Sequence, residues 1–197
     1  MNLVEILSRH VTSETREEAD RLRMIEFART HPDPFDRSIR EGHFTGSGLV
    51  MAGDGSAVLL LHHIKLHRWL QPGGHGEPGE TRGESIAGRE VAEETGITPR
   101  LHPTAPRPFD IDIHTIPARK QDAQHEHLDL RYLFVGDPAE ALRAEAPEGP
   151  AVTPAGPTLR WFKVEEALAM DVDPGLKRMI RKARTLLASS DATGASL

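Results

Sequence analysis

The segment from Gly74 to Ile97, GHGEPGETRGESIAGREVAEETGI, constrains the fold most, because it joins a glycine-rich loop to a charged helix. The glycines and prolines between residues 72 and 79 exclude both helix and strand in the loop. Ser85 to Thr95 contains no proline and ends before Gly96, a residue suited to a left-handed C-cap. The sequence therefore predicts a short helix that directly follows a loop.

Three glutamates of the predicted helix share one face. Glu90, Glu93 and Glu94 are spaced i, i+3 and i+4, which places their Cβ atoms roughly 5–6 Å apart. Like charges at this spacing destabilise a helix, and a hard divalent cation such as Mg²⁺, which takes oxygen ligands, would remove the repulsion. Ala87 and Val91 occupy the adjoining stripe and are expected to pack inward. The pattern is typical of either a solvated charged face or a metal site.

The loop and the helix together resemble the box that defines the Nudix hydrolases, G-x5-E-x7-R-E-U-x-E-E-x-G-U, in which U is apolar. Its fixed positions are filled by Gly74, Glu80, Arg89, Glu90, Val91, Glu93, Glu94, Gly96 and Ile97. Eight residues rather than seven separate Glu80 from Arg89, and the insertion falls at the loop-to-helix junction, around residues 81–84. The glutamate stripe is left intact, whereas the role of Glu80 is left unassigned.

The resemblance implies a fold and a reaction. The fold is α/β: a Nudix-type α/β/α sandwich with a mixed β-sheet. The enzyme is a pyrophosphohydrolase that cleaves a diphosphate bond in a nucleoside diphosphate linked to another group, such as a nucleotide, a nucleotide sugar or a dinucleotide. By resemblance, Gly74, Glu90, Glu93 and Glu94 bind the metal, which is Mg²⁺ with Mn²⁺ as the alternative. Arg89, Glu90 and Glu93 are the catalytic residues, and Arg89 orients the glutamates.

Two other functions are found on this fold. One is a non-catalytic module that senses a nucleotide; the complete REVAEETG sequence argues against it, because a sensor does not need every glutamate. The other is an isomerase of a diphosphate-bearing isoprenoid, whose relatives usually recruit a cysteine, and this chain has none.

The sequence divides into three predicted segments. Residues 1–42 form an N-terminal helical extension, residues 43–188 the Nudix domain and residues 189–197 a flexible tail. The extension is expected to pack on the domain, to form a homodimer contact or to cover a substrate pocket. The domain is expected to contain a hairpin of strands at 45–51 and 57–64, further strands at 109–117, 127–135 and 158–164, a short helix at 138–145, and a final helix from Asp173. Trp161 is a candidate core residue.

Two predicted strands carry a second group of polar residues. Every second position of one strand is polar, with Asp110, Asp112 and His114. The same holds on another strand for His125, His127 and Asp129. Three interpretations are open: an independent zinc site, a solvated salt-bridged face, or a wall that faces the substrate. In the last case Asp110, Asp112, His127 and Asp129 bind substrate. Independently of these strands, His67 is one of the basic residues that lead towards the glycine loop, and it is expected to contact the phosphates of the substrate. Asp110, Asp112 and Asp129 are also candidates, besides the glutamates, for the general base.

Composition narrows the class of partner. The chain has no cysteine, which excludes disulfides, thiol nucleophiles and Cys-ligated zinc. Its net charge of -6 argues against a general nucleic-acid surface and an anionic-membrane surface. No apolar run approaches the roughly 18–20 residues that span a bilayer. These properties leave a small molecule as the expected partner, and the Nudix resemblance implies that it is a diphosphate. A cytoplasmic location is the default.

Overall fold

A computed structural model describes residues 1–63, 66–118, 123–143 and 159–194. The elements are α1 (Leu3–Arg9), α2 (Thr15–Thr30), β1 (Gly42–Ala52), β2 (Ala57–His63), β3 (Arg68–Leu70), β4 (Gly73–His75), α3 (Gly83–Thr95), β5 (Arg100–Leu101), β6 (Asp110–Ile116), β7 (His125–Gly136), β8 (Leu159–Lys163), α4 (Val164–Ala169) and α5 (Pro174–Gly194). The strands form one sheet with the order β3-β2-β1-β7-β5; in addition β4 pairs with β1, β6 with β7 and β8 with β2.

The chain folds as two compact units. The first comprises Met1–Ser47, Gly73–Gly88 and Pro106–Tyr132, and the second comprises Gly48–Pro72, Arg89–Ala105 and Leu133–Leu197. Three elements, β1, α3 and β7, contribute residues to both units.

In the first unit the N-terminal extension packs against β6. The buried Glu17 of α2 accepts a hydrogen bond from the Ile111 amide at 3.4 Å, and Asp20 accepts one from the Ile113 amide at 3.3 Å. These amides lie on β6, which pairs with β7. The two helix carboxylates accept the hydrogen bonds that a further strand would otherwise accept from β6. Of the three roles considered for the extension, packing on the domain is the one seen.

The second unit contains the predicted hairpin. Strands β1 and β2 are antiparallel, with Val50 opposite Leu59. The turn between them contains Gly55, whose φ of 70° lies in the left-handed region that glycine adopts without strain. The Gly55 amide donates to the carbonyl of Ala52 at 2.8 Å, so the hairpin that the glycine-rich turn predicted is confirmed.

Helix α3 and strand β1 approach closely in the first unit because β1 presents a glycine, Gly46, to the backbone of the helix. A Cβ added at Gly46 would lie 2.6 Å from the carbonyl oxygen of Gly83 and 2.9 Å from the amide nitrogen of Ala87. Both obstructing atoms belong to the backbone of α3, so a rotamer change cannot relieve the clash. The absence of a side chain at Gly46 therefore sets the distance between helix and strand.

We expect Gly46→Ala to destabilise the protein by about 1–3 kcal/mol, the usual cost of overpacking a well-packed core. The matched control is Gly88→Ala on α3, the helix that Gly46 contacts. An added Cβ at Gly88 has no neighbour within 4 Å. That change should stabilise by about 0.5–1 kcal/mol, because alanine favours the helix over glycine. Urea unfolding of both variants measures the difference, and equal free energies of unfolding would contradict this account of the contact.

Three local expectations are wrong. The glycine-rich segment, from which the sequence excluded a strand, contains β4, because pairing with β1 outweighs the low strand propensity of glycine. Residues 138–140 form a turn, with the Glu140 amide donating to the carbonyl of Asp137 at 2.9 Å, and residues 141–143 have no regular structure. The predicted helix is therefore not found in this part, and residues 144 and 145 lie outside the described residues. Trp161 is only half-buried, and its neighbour Phe162 is the core residue, at 2% exposure. Phe162 lies opposite Val58 and packs edge-on against Trp69, so it is Phe162 that faces inward from β8.

Candidate active site

Helix α3 carries the glutamates on an unbroken helical register. It begins at Gly83, two residues earlier than the sequence suggested, with the amides of Ser85 and Ile86 both donating to the carbonyl of Arg82. The helix therefore runs without interruption from Gly83 to Thr95, and the extra residue between Glu80 and Arg89 leaves the spacing of the glutamates unchanged. The helix ends as predicted, because Gly96 has a φ of 75° and its amide donates to the carbonyl of Ala92.

Arg89 connects two of the helix carboxylates. Its Nη1 donates to Oε1 of Glu90 at 3.0 Å and to Oε2 of Glu93 at 2.8 Å. The Glu90 side chain is 15% exposed and that of Glu93 is 40% exposed, while Ala87 and Val91 are fully buried as predicted. Charge-assisted hydrogen bonds of this kind hold carboxylates in fixed orientations. The face thus combines an apolar base with oriented, partly accessible carboxylate oxygens.

The other predicted ligands and contacts lie on short elements. Gly74 is in β4, opposite Gly46 of β1. Glu80 accepts a hydrogen bond from the Glu77 amide at 2.9 Å and so closes the loop locally. His67 is exposed in the turn between β2 and β3 and has a φ of 50°. The metal role of Gly74 and the substrate role of His67 stay predictions.

The aspartates of β6 and β7 surround a buried arginine. Asp110 lies opposite Arg131, and Asp112 lies opposite Asp129. Arg131 donates to Asp129 at 2.8 Å, to Asp112 at 3.1 Å and to Asp110 at 3.3 Å. All four residues are at most 5% exposed, so the expectation of a solvated face is wrong here. The alternation of polar and apolar residues correctly predicted which side chains of β6 and β7 share a face. It could not show that these faces are buried.

The network extends to β1 through two hydroxyl groups that the sequence interpretation missed. Thr45 and Ser47 both donate to Oδ1 of Asp129, at 2.9 and 2.8 Å. Burial disfavours the charge of Arg131, but the three surrounding carboxylates outweigh it and raise the pKa of the guanidinium above its ordinary value. The sequence did contain a signal for these hydroxyl groups. His43, Thr45 and Ser47 occupy alternate positions of one strand and therefore share one of its faces.

Comparison with known proteins decides the family. The model of the NUDIX domain matches residues 42–183. The chain belongs to the Nudix family. A solved Nudix-family hydrolase from Clostridium perfringens is 26% identical, with a TM-score of 0.53, and the match covers 74% of this chain and 97% of that one. No curated protein matches this chain significantly.

Two more distant structures share the Nudix fold. The Ap4A hydrolase of C. elegans is 19% identical with a TM-score of 0.52, and the match covers 74% of this chain and 98% of that one. The NUDIX domain of Shewanella oneidensis NrtR, solved with ADP ribose, is 18% identical with a TM-score of 0.50, and the match covers 95% and 99%. The predicted α/β Nudix fold and the enzyme class, a Nudix pyrophosphohydrolase, are confirmed. No helix among the described residues has the length and apolarity needed to cross a membrane.

The Nudix domain also contains a histidine cluster, which we define as His43, His75, His114, His125 and His127. Their rings lie in pairs with centroids 4.8–5.4 Å apart. Burial, followed by neighbouring positive charges, lowers the pKa of His43 and of His75 to about 4 and that of His127 to about 2. These three imidazoles are therefore neutral at pH 7. The sequence pointed to His114, His125 and His127 but missed His43 and His75, which come from distant parts of the chain.

Proposed function

We propose that this Nudix enzyme hydrolyses a diphosphate bond in a nucleoside diphosphate linked to another group, with Mg²⁺ as its cofactor and Mn²⁺ as the alternative. The observation that carries the proposal is the glutamate face of α3, on which Arg89 fixes Glu90 and Glu93 beside Glu94. Carboxylate oxygens are the ligands that Mg²⁺ takes, so the donor set fits this ion.

Each residue of the face has a proposed role. Glu90, Glu93 and Glu94 would hold Mg²⁺; the ion would offset the charge of the diphosphate and lower the pKa of water. Arg89 keeps Glu90 and Glu93 in position through its two hydrogen bonds. A carboxylate that accepts the proton of the attacking water must be reachable by solvent. Glu93, at 40% exposure, meets this requirement.

The remaining assignments are proposals that rest on residue type. Asp110, Asp112 and Asp129 are alternatives for the general base, but Arg131 already bonds to all three and they are buried, which favours Glu93. The same aspartates and His127 stay predicted substrate contacts. His67 is exposed at a turn, where a basic side chain is available to a phosphate group.

The test is a substrate panel. Wild-type protein and Glu94→Gln are incubated with Mg²⁺ and nucleoside triphosphates, nucleotide sugars or dinucleotides, and the release of phosphate and nucleoside monophosphate is measured. Turnover of one compound that is lost in the variant supports the proposal and gives the substrate class. Absence of turnover across the panel, together with tight calorimetric binding of one compound, would instead support the nucleotide-sensing alternative.

A further inference from the structure

The histidine cluster is held together by backbone contacts between β1 and β7. The Glu126 amide donates to the carbonyl of Glu41 at 3.0 Å, and a side chain at Gly42 would collide with the Glu126 carbonyl oxygen. His43, the second residue of β1, therefore lies beside the two histidines that flank Glu126. The ring of His43 lies 5.2 Å from that of His125 and 5.1 Å from that of His127, centroid to centroid.

His43 is a buried residue whose ring nitrogens have no partner in the part of the protein that the structure describes. The residue is 3% exposed, and both Nδ1 and Nε2 are buried without a hydrogen-bond partner among the described residues. Buried polar atoms in native proteins are normally paired, so an unpaired imidazole that forms a triangle with two others indicates a missing ligand. A Phe at this position would fill similar space without the cost of burying polar atoms.

His125 is oriented as a metal ligand would be. Its Nδ1 lies 2.9 Å from the carbonyl oxygen of Ala123 and, as the protonated nitrogen, donates to it. This contact fixes the tautomer in which Nε2 carries the free lone pair.

We propose that His43, His125 and His127 bind a transition-metal ion, with Zn²⁺ as the best fit. One nitrogen from each ring lies within 4.8 Å of the others. Tetrahedral Zn²⁺ with Zn–N bonds of about 2.0–2.1 Å needs nitrogens roughly 3.3 Å apart. Side-chain rotations that move the nitrogen atoms by about 1–1.5 Å would therefore complete the site. His75, whose Nε2 is 3.1 Å from that of His127, is the candidate for the fourth position, and otherwise a water takes it.

The ligand chemistry separates this site from the glutamate face of α3. Neutral imidazole nitrogen suits Zn²⁺, Co²⁺ and Ni²⁺, whereas Mg²⁺ takes oxygen ligands. An ion held by His43 on β1 and by His125 and His127 on β7 ties two strands together and stabilises the folded chain. The site does not depend on the proposed hydrolysis, and either can fail without the other.

The experiment titrates ZnCl₂ into metal-free full-length protein by calorimetry in the presence of excess Mg²⁺. The variants are His43→Phe and His127→Phe, each keeping a planar ring without nitrogen. The controls are His102→Asn, a buried histidine outside the cluster, and Glu93→Gln. X-ray absorption at the zinc edge of the wild-type complex reports the ligand atoms.

We expect one Zn²⁺ per wild-type chain and a shell of imidazole nitrogens at about 2.0–2.1 Å. Tm should rise by about 5–10 °C at a hundredfold excess over Kd. Affinity should fall at least about 100-fold in both Phe variants and stay unchanged in both controls. A wild-type chain that binds no stoichiometric Zn²⁺, a zinc shell of carboxylate oxygens, or unchanged affinity in the Phe variants overturns the proposal. If one Phe variant fails to fold, the other and the absorption spectrum decide.

Discussion

Glu93→Gln and Glu94→Gln will each lower kcat by at least about 100-fold on the substrate found by the panel. A substitution next to a metal ligand already costs about 10–100-fold in activity, so loss of a ligand or of the proton acceptor should cost at least as much. Glutamine keeps the size of the side chain and favours the helix as glutamate does. Steady-state kinetics at saturating Mg²⁺, with Tm measured in parallel, separates loss of chemistry from loss of folding.

The matched control for this prediction is Glu84→Gln on the first turn of the same helix. Glu84 lies outside the face of Glu90, Glu93 and Glu94, and its nearest described charge partner, Arg107, is 3.8 Å away. We expect its kcat to stay within a few-fold of the wild type and its Tm to be unchanged. Near-normal turnover in both Glu93→Gln and Glu94→Gln, at a saturating metal concentration, would contradict the proposed role of the glutamates.

Arg131→Met is expected to be the most destabilising of the substitutions considered, at about 3–5 kcal/mol. Removing the guanidinium leaves three buried carboxylates without their shared partner, and breaking a buried ion pair from one side costs this much. For a chain of this length, the loss corresponds to a fall in Tm of about 6–20 °C. Differential scanning calorimetry and denaturant unfolding both measure it.

An exposed arginine that pairs with a single carboxylate provides the comparison. Arg23 donates to both carboxylate oxygens of Glu126, at 2.6 and 3.3 Å, but its side chain is 60% exposed. We expect Arg23→Met to change the free energy of unfolding by no more than about 1 kcal/mol, because solvent screens such pairs. If the two methionine variants lose similar stability, the aspartate network does not depend on the charge of Arg131.

The candidate active site was largely predictable because its determinants are local. The spacing of Glu90, Glu93 and Glu94 fixes their common face once the segment is helical, and Gly96 fixes where the helix ends. The role of Arg89 as a bridge between carboxylates follows from its spacing of four residues to Glu93. The insertion after Glu80 did not change this, because it lies before Arg89 and leaves the spacing from Arg89 to Glu94 intact.

The surroundings of Arg131 and of His43 could not be predicted in the same way. Alternation assigned Asp110 and Asp112 to one face of a strand, but a register shift of one residue would have reversed the faces that meet. Only the observed pairing places Asp112 opposite Asp129 and buries both.

The sequence by itself determined the family, the helix with its glutamate face and the alternating faces of the strands, because each depends on residues within a few positions of one another. The tertiary structure decided which of those faces are buried and which side chains meet. His43 and His127 are far apart in the chain, and their rings come together only because β1 and β7 are in backbone contact near Glu126. Contacts of this kind depend on strand pairing across long sequence separations, which no local pattern encodes.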